Sequence, residues 1–471
     1  MTVMPTFARR RPVRPDVAQA AAAAAAASAG VAVGVAVTVD LSVGVALALA
    51  AVAVPIALID VPLAAAAWVG LGLLSGLAPF GLATTATGLL LFGAWLARLP
   101  AERARVAAAL RLHRRLLILG GLLLLWLALS LAWAQDPGVA ALELGRWCVA
   151  AVALVVLLTS VRTERDVRLV VVALIAGTLL SVLIGLAAGG LGAADTSDTA
   201  TSTEGRLQGG VDDPNFLAAY IVAVTVLAVA VRPLLPRIGR MLMPGVIIVL
   251  VIGLGATQSR GGMLAAIAAL VAAVVLMRGR RLAVLATVVL LAGVGLAYFV
   301  ATPTAASRLT SGADRGNGRE DLWRVAGRMA ADHPLTGVGL DNFRVRSGEY
   351  VRQPGLLKFV DLIAERPHQV HNTYLQLLAE NGVVGLALFV AFVSAVLSSA
   401  RLAARRFEAA GAAALAQFSR AVLVADVGLL VAAAFLPLGS RPTLWILLSL
   451  GPLLLGVANS RGEWFGRAAP G

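Results

Sequence analysis

Charge is scarce in these 471 residues: 14% are Asp, Glu, Lys or Arg against 59% hydrophobic, with a mean hydropathy of +0.89. Soluble domains carry about 25% charged residues, so a soluble globular domain, a disordered chain and a coiled coil are excluded. Cysteine is down to one, Cys148, which rules out an intramolecular disulfide and any Cys/His cluster with zinc spacing. There is no P-loop, no H-E-x-x-H helix and no dinucleotide fingerprint after a strand. No polar stretch is long enough for a sizeable cytosolic domain holding a nucleotide sugar. Lysine is almost missing too. Of 39 basic residues all but Lys358 are arginine, which with the alanine richness reflects a GC-rich genome rather than function.

What is present is apolar sequence in runs of about twenty residues, enough to cross a hydrocarbon core of roughly 30 Å repeatedly as helices. Strands of a membrane barrel would alternate polar and apolar residues over shorter segments, and these do not. The chain is expected to be an all-α polytopic transmembrane bundle of about 12–14 spans. Four short spans fall between residues 20 and 97, broken at Asp40, Asp60 to Pro62 and Pro79. Ten more follow near 116–134, 147–161, 168–188, 216–232, 243–257, 263–277, 282–301, 377–398, 421–437 and 443–459. Arg9, Arg10, Arg11 and Arg14 before an alanine run imitate a signal peptide but read better as a basic cytoplasmic tail.

The net charge of +14 and pI near 11.4 must be sorted by membrane side before a partner is inferred. With both termini cytoplasmic, most of the basic residues lie inside and most of the acidic ones outside, as the positive-inside rule requires. The charge thus speaks for topology and membrane lipids, not for nucleic acid. The expected organisation is a cytoplasmic tail (1–19), a transmembrane bundle (20–301) with an external loop (189–215), a large external loop (302–375), C-terminal transmembrane helices (376–459) and a cytoplasmic tail (460–471).

The first external loop begins as a flexible Ser/Thr/Asp/Ala linker and ends in G-R-L-Q-G-G-V-D-D-P-N. The second is too long for a mere connection. Its residues 319–333 carry apolar side chains at helical spacing with Pro334 as a stop, so an amphipathic helix at the membrane surface is expected.

The strongest local signal is H-N-T-Y-L-Q-L-L-A-E-N-G-V-V-G at 371–385. Asn372 suits an N-cap and Gly382 a helix end, which presents His371 at the outer mouth of the next span. A histidine there takes a proton from a hydroxyl near neutral pH, or is simply an interfacial residue beside a cap. His368 is either its partner or solvated. In S-R-G-G-M-L, Arg260 sits between two apolar runs, where a guanidinium costs several kcal/mol unless it snorkels, pairs or lines a watery cavity. The paired glycines allow close approach of a bulky ligand, or mark a tight turn. Arg315, Arg319, Arg324, Arg328, Arg344 and Arg346, with Arg206 in the earlier loop, offer forked donors for phosphate, although most such arginines are a solvated helix face. Asp212 to Asn215 read as a turn plus helix cap, with a metal on Asp212 and Asp213 the weaker alternative.

Together G-R-x-x-G…P-N, S-R-G-G, R-x-x-x-W…D-H-P-L-T-G-V-G-L-D-N-F and H-N-x9-G-x-x-G resemble the O-antigen ligase and polymerase superfamily over about residues 205–400. The resemblance implies a GT-C-like bundle that transfers a glycan from an undecaprenyl-diphosphate carrier to a lipid, glycan or protein hydroxyl at the outer face of the cytoplasmic membrane, with no metal or other cofactor. The family's histidine motif falls on His371, Asn372, Gly382 and Gly385, and its R-x3-L motif on Arg260 and Leu264. Its later arginine falls on Arg319, where Trp323 replaces the expected leucine, or on Arg315. The expected roles are His371 as base, Arg260, Arg319, Arg206 and Arg315 as diphosphate ligands, and Asn372, Gly382, Gly385 and His368 shaping the site. Inversion at the anomeric carbon follows. Polymerisation of lipid-linked repeat units is the alternative within the enzyme class, and a lipid-linked glycan flippase or a membrane scaffold outside it.

Overall fold

The computed structural model describes residues 59–78, 80–188, 206–211, 213–277, 319–355 and 369–467, together with 44, 48, 293 and 357. The earlier N-terminal spans, the linker 189–205, Asp212, the 282–301 span, Arg315 and His368 lie outside them. The helices are α1 (Val61–Gly72), α2 (Phe80–Leu112), α3 (Arg114–Leu129), α4 (Pro137–Ser160), α5 (Glu164–Ala187), α6 (Pro214–Val231), α7 (Arg237–Ala256), α8 (Arg260–Leu276), α9 (Arg319–Asp332), α10 (Phe343–Val351), α11 (Thr373–Ala409), α12 (Ala413–Ala433) and α13 (Pro442–Arg467). No strand occurs among the described residues, and nine of their helices are long and apolar enough to cross a membrane. The predicted all-α polytopic bundle is what the chain forms.

Local chemistry explains where these helices begin. A free helix N-terminus leaves its first N–H groups without partners, and a short polar side chain satisfies them. Asp136 Oδ1 accepts from Gly138 and Val139 ahead of α4, with Pro137 supplying a preset φ. Asp213 does the same for Asn215 and Phe216 ahead of α6. Thr163 and Asp166 form a capping box on α5, Ser259 caps α8 and Asn372 caps α11. The capped starts of α4, α6, α8 and α11 lie at one end of the bundle, together with the start of α13. We call it the motif end.

The centre is formed by α6, α12 and α13, whose apolar windows are 72%, 67% and 78% buried, against 22% for α2, α3 and α7. Helix α12 packs on α6, α8 and α11, α11 also on α3 and α13, and α1 lies along α5. The rim turns Leu122, Leu125, Ile248, Ile267 and Val271 outward. Lipid tails give little drive for helices to associate, so close contact through small residues carries the packing. A methyl on Gly428 of α12 would sit 3.1 Å from Ala269 Cβ of α8 and 3.2 Å from Val222 of α6.

Helices α9 and α10 form a cap over the motif end. α9 spans the residues its periodicity predicts, but its apolar face does not meet the membrane surface. Leu322, Val325, Ala326 and Met329 are buried with Phe343, Tyr350 and Val351 of α10 and with Val370 and Ala379. A protein face and a lipid face want the same apolar stripe, so periodicity alone does not distinguish them.

Candidate active site

The H-N-x9-G-x-x-G segment forms a capped helix that breaks and restarts. Asn372 Oδ1 accepts from the N–H groups of Tyr374 and Leu375 at 3.0 and 3.1 Å. The residue before the cap, His371, is held at φ +53°, a left-handed conformation uncommon outside glycine. Gln258, two residues before Arg260, has φ +50°. At Gly382 the backbone takes φ +65° and ψ −172°, which only glycine adopts without strain, and α11 resumes beyond it.

The break exists because another segment occupies it. Val338 and Gly339 donate their N–H groups to the carbonyls of Ala379 and Glu380 at 3.0 and 2.8 Å, and Val383 donates to the carbonyl of Pro334 at 2.8 Å. The H-P-L-T-G-V-G stretch is thereby stitched to E-N-G. Cβ atoms at Gly337 and Gly382 would collide with Glu380 and Leu335 backbone respectively. Gly385 lets Trp126 approach, and the Trp126 indole donates to the Asn381 carbonyl at 2.9 Å.

The arginines converge on this same end. Arg206 donates from Nε to the Thr257 carbonyl and from Nη2 to Asn215 Oδ1, both at 2.9 Å. Asn215 Oδ1 also accepts from Ser259 Oγ at 2.8 Å, and Ser259 caps α8, whose first residue is Arg260. Trp323, one turn after Arg319, donates its indole N–H to the Val370 carbonyl at 3.1 Å, immediately before His371. Its ring centroid lies 6.3 Å from that of Phe435. A methyl on Gly261 would meet Phe435 Cβ at 3.2 Å, so Trp323 and Phe435 tie Arg319 and His371 to the start of α8.

Several expectations are corrected by this geometry. Arg260 is exposed at a helix start rather than held at depth between two spans. The glycines after it serve packing, not ligand approach: Gly261 faces Phe435, and a methyl on Gly262 would meet Ala218 Cβ at 2.5 Å. Asp213 spends its carboxylate on the α6 cap, as the turn-plus-cap reading of Asp212 to Asn215 expects, and Asp212 lies outside the described residues.

Beside the His371 segment lies a cavity of about 720 Å³ between residues 142–149 of α4, the first two turns of α11 and the 437–442 segment that leads into α13. Arg146, Arg344, Arg441, Gln376 and Glu380 line it. Arg344 pairs with Asp341 at 2.7 Å and Arg146 with Glu143 at 2.7 Å. Burial raises the Asp341 carboxyl above the ordinary aspartate range, partly offset by Arg344. Of the five lining residues named, the sequence points only to Arg344, as one of the long-loop arginines, because the set comes from four separate segments that only the fold brings together.

One comparison bears directly on this arrangement. Residues 245–390 match the model of the O-antigen ligase family. No curated protein matches the chain. The O-antigen ligase match covers the start of α8, the cap α9–α10 and the His371 segment, and it leaves Arg206 outside. It bears out the resemblance to the O-antigen ligase and polymerase superfamily. With nine apolar helices of spanning length among the described residues, it supports a multi-pass membrane glycosyltransferase of O-antigen ligase or polymerase type.

Proposed function

We propose that the chain transfers a glycan from undecaprenyl diphosphate to a hydroxyl acceptor at the outer face of the cytoplasmic membrane, with both termini cytoplasmic and the motif end outside. The observation that carries this reading is the convergence of the four described candidates, Arg206, Arg260, Arg319 and His371, through Asn215, Ser259, Trp323 and Phe435. Guanidinium groups at one end suit a diphosphate that enters from the membrane, because their forked donors match its oxygens without a metal. A flippase needs polar groups along a whole transmembrane path, and these lie at one end.

In this mechanism Arg260, Arg319 and Arg206 hold the donor diphosphate and stabilise the charge that grows as it leaves. His371 takes the proton from the acceptor hydroxyl, and that oxygen attacks the anomeric carbon from the face opposite the leaving group. The bond from the anomeric carbon to the phosphate oxygen breaks, undecaprenyl diphosphate departs with the electron pair, and the configuration inverts. Asn372, Gly382 and Gly385 set the direction of His371 through the cap and the break. The cap formed by α9 and α10 covers the reacting groups.

The test is turnover of a lipid-linked donor by purified variants. His371→Ala abolishes transfer with an unchanged melting profile, and Arg260→Lys is poor because one ammonium does not replace a fork. Full activity in His371→Ala removes the base, and near-wild-type turnover in Arg260→Lys removes the diphosphate contact.

A further inference from the structure

The cavity beside His371 has a charge the transfer chemistry does not use. Three guanidinium groups line it, from Arg146, Arg344 and Arg441. Glu143 answers Arg146 and Asp341 answers Arg344. Arg441 has no acidic partner among the described residues; its guanidinium lies 4.6 Å over the ring of Phe216. Arg344 also keeps a buried Nε without a hydrogen-bond partner among them. Glu380, at the cavity wall, is buried and held by the Asp341 N–H and the Gln376 amide at 3.1 and 3.3 Å.

Position links this cavity to the transfer site. Gln369 and Thr373, which line it, flank His371 in sequence. Phe216, under Arg441, follows Asn215, the acceptor of Arg206. A saccharide whose reacting carbon or hydroxyl lay at His371 would extend into this space. The volume suits a small ligand, since such sites run to about 300–1,000 Å³. The lining is wrong for a polyprenyl tail, because guanidinium, amide and carboxyl groups would lose their water to hydrocarbon. A neutral sugar would leave Arg441 uncompensated.

We infer that this cavity is a recognition site for an acidic saccharide unit, whose carboxylate or phosphate is held by Arg441 with the partly exposed Arg344 guanidinium beside it. This deepens the proposed function and rests on the reading of the neighbouring residues as a glycan-transfer site. It makes the sugar's charge, as well as its hydroxyls, a criterion of substrate choice.

The experiment measures binding to the purified full chain in detergent. The probes are a hyaluronan tetrasaccharide, its carboxyl-reduced counterpart, maltotetraose and a phosphorylated maltotetraose. The wild type binds one or both acidic probes about tenfold more tightly than the matching neutral one, as one hydrogen bond to a charged group implies. Which acidic probe is preferred tells carboxylate from phosphate. Arg441→Gln, at an exposed position, removes the preference, and Arg401→Gln at the far end of α11 keeps it. Equal binding of acidic and neutral probes, or a preference that survives Arg441→Gln and Arg344→Gln together, overturns the inference. Transfer from a lipid-linked donor is scored separately. Transfer without charge preference removes this inference alone, and charge preference without transfer removes the proposed reaction alone.

Discussion

Gly382→Ala is the substitution that probes the site's construction most sharply. Gly382 is at φ +65°, ψ −172°, and a Cβ there runs into the backbone of Leu335 and Thr336, which has no flexible end to swing aside. Strain at such a position costs about 1–3 kcal/mol. Moving the 334–339 segment away also breaks the bonds Val338 to Ala379, Gly339 to Glu380 and Val383 to Pro334, each worth about 0.5–1.5 kcal/mol. The combined loss is roughly 3–7 kcal/mol. Two glycines serve as internal controls. Gly411 has φ +70° and a methyl group added there would meet nothing within 4 Å, so Gly411→Ala costs strain alone, about 1–2 kcal/mol. Gly348 is helical in α10 with open space around it, so Gly348→Ala gains about 0.5–1 kcal/mol. The assay is thermal unfolding of the detergent-purified chain followed by tryptophan fluorescence. The expected order of melting temperatures is Gly348→Ala, wild type, Gly411→Ala, and Gly382→Ala far below. Equal melting of the Gly382 and Gly411 variants would refute the argument that the 334–339 segment fills the break.

Other residues give narrower tests. Thr373 Oγ1 donates to the Leu436 carbonyl at 2.6 Å and accepts from the Leu438 N–H at 2.8 Å, so Thr373→Val costs about 2–4 kcal/mol while Thr373→Ser recovers most of it. Equal melting of the two variants contradicts the role of the hydroxyl. Trp323→Phe keeps the ring but loses the bond to Val370; kcat should fall about fivefold with KM nearly unchanged, and a purely structural role would instead lower the melting temperature alone. At the junction of α2 and α3, His113 is buried, and desolvation lowers its pKa from 6.5 to about 4. Above pH 6.5 both folded and unfolded chains hold it neutral. Between 6.5 and about 4 the unfolded chain takes the proton first, so stability falls with pH by up to about 3 kcal/mol. His113→Gln should flatten that acid limb in a pH series of melting curves, and an unchanged slope would count against it.

Much of this architecture is legible in the sequence because local chemistry sets it. Apolar runs give the helices, and Asn372 and the Asp213-Pro214 pair give the starts of α11 and α6, since a cap needs only its own neighbours. Gly382 reads as a helix end for the same reason, although nothing nearby says that α11 restarts or that residues 334–339 fill the gap. Arg260 looks deep when the flanking runs are counted but sits at the start of α8, because Ser259 and Gln258 turn the chain at the bundle's end. Asn215 reads as part of a cap and instead accepts hydrogen bonds from Arg206 and Ser259. The cavity is illegible in principle: Arg146, Arg344, Glu380 and Arg441 share no spacing, and only the packing of α4, α10, α11 and α13 assembles them.

The central claim is glycosyl transfer from a lipid-linked donor, and reconstitution tests it most directly. The purified chain in liposomes is given a labelled undecaprenyl-diphosphate oligosaccharide, with and without hydroxyl acceptors and with EDTA, and products are sized on a gel. The account predicts an EDTA-resistant product in the wild type and none in His371→Ala. An acceptor-dependent shift identifies a ligase, and a ladder from the donor alone a polymerase. Movement of intact labelled lipid between leaflets, with no product from matched substrates, would contradict it.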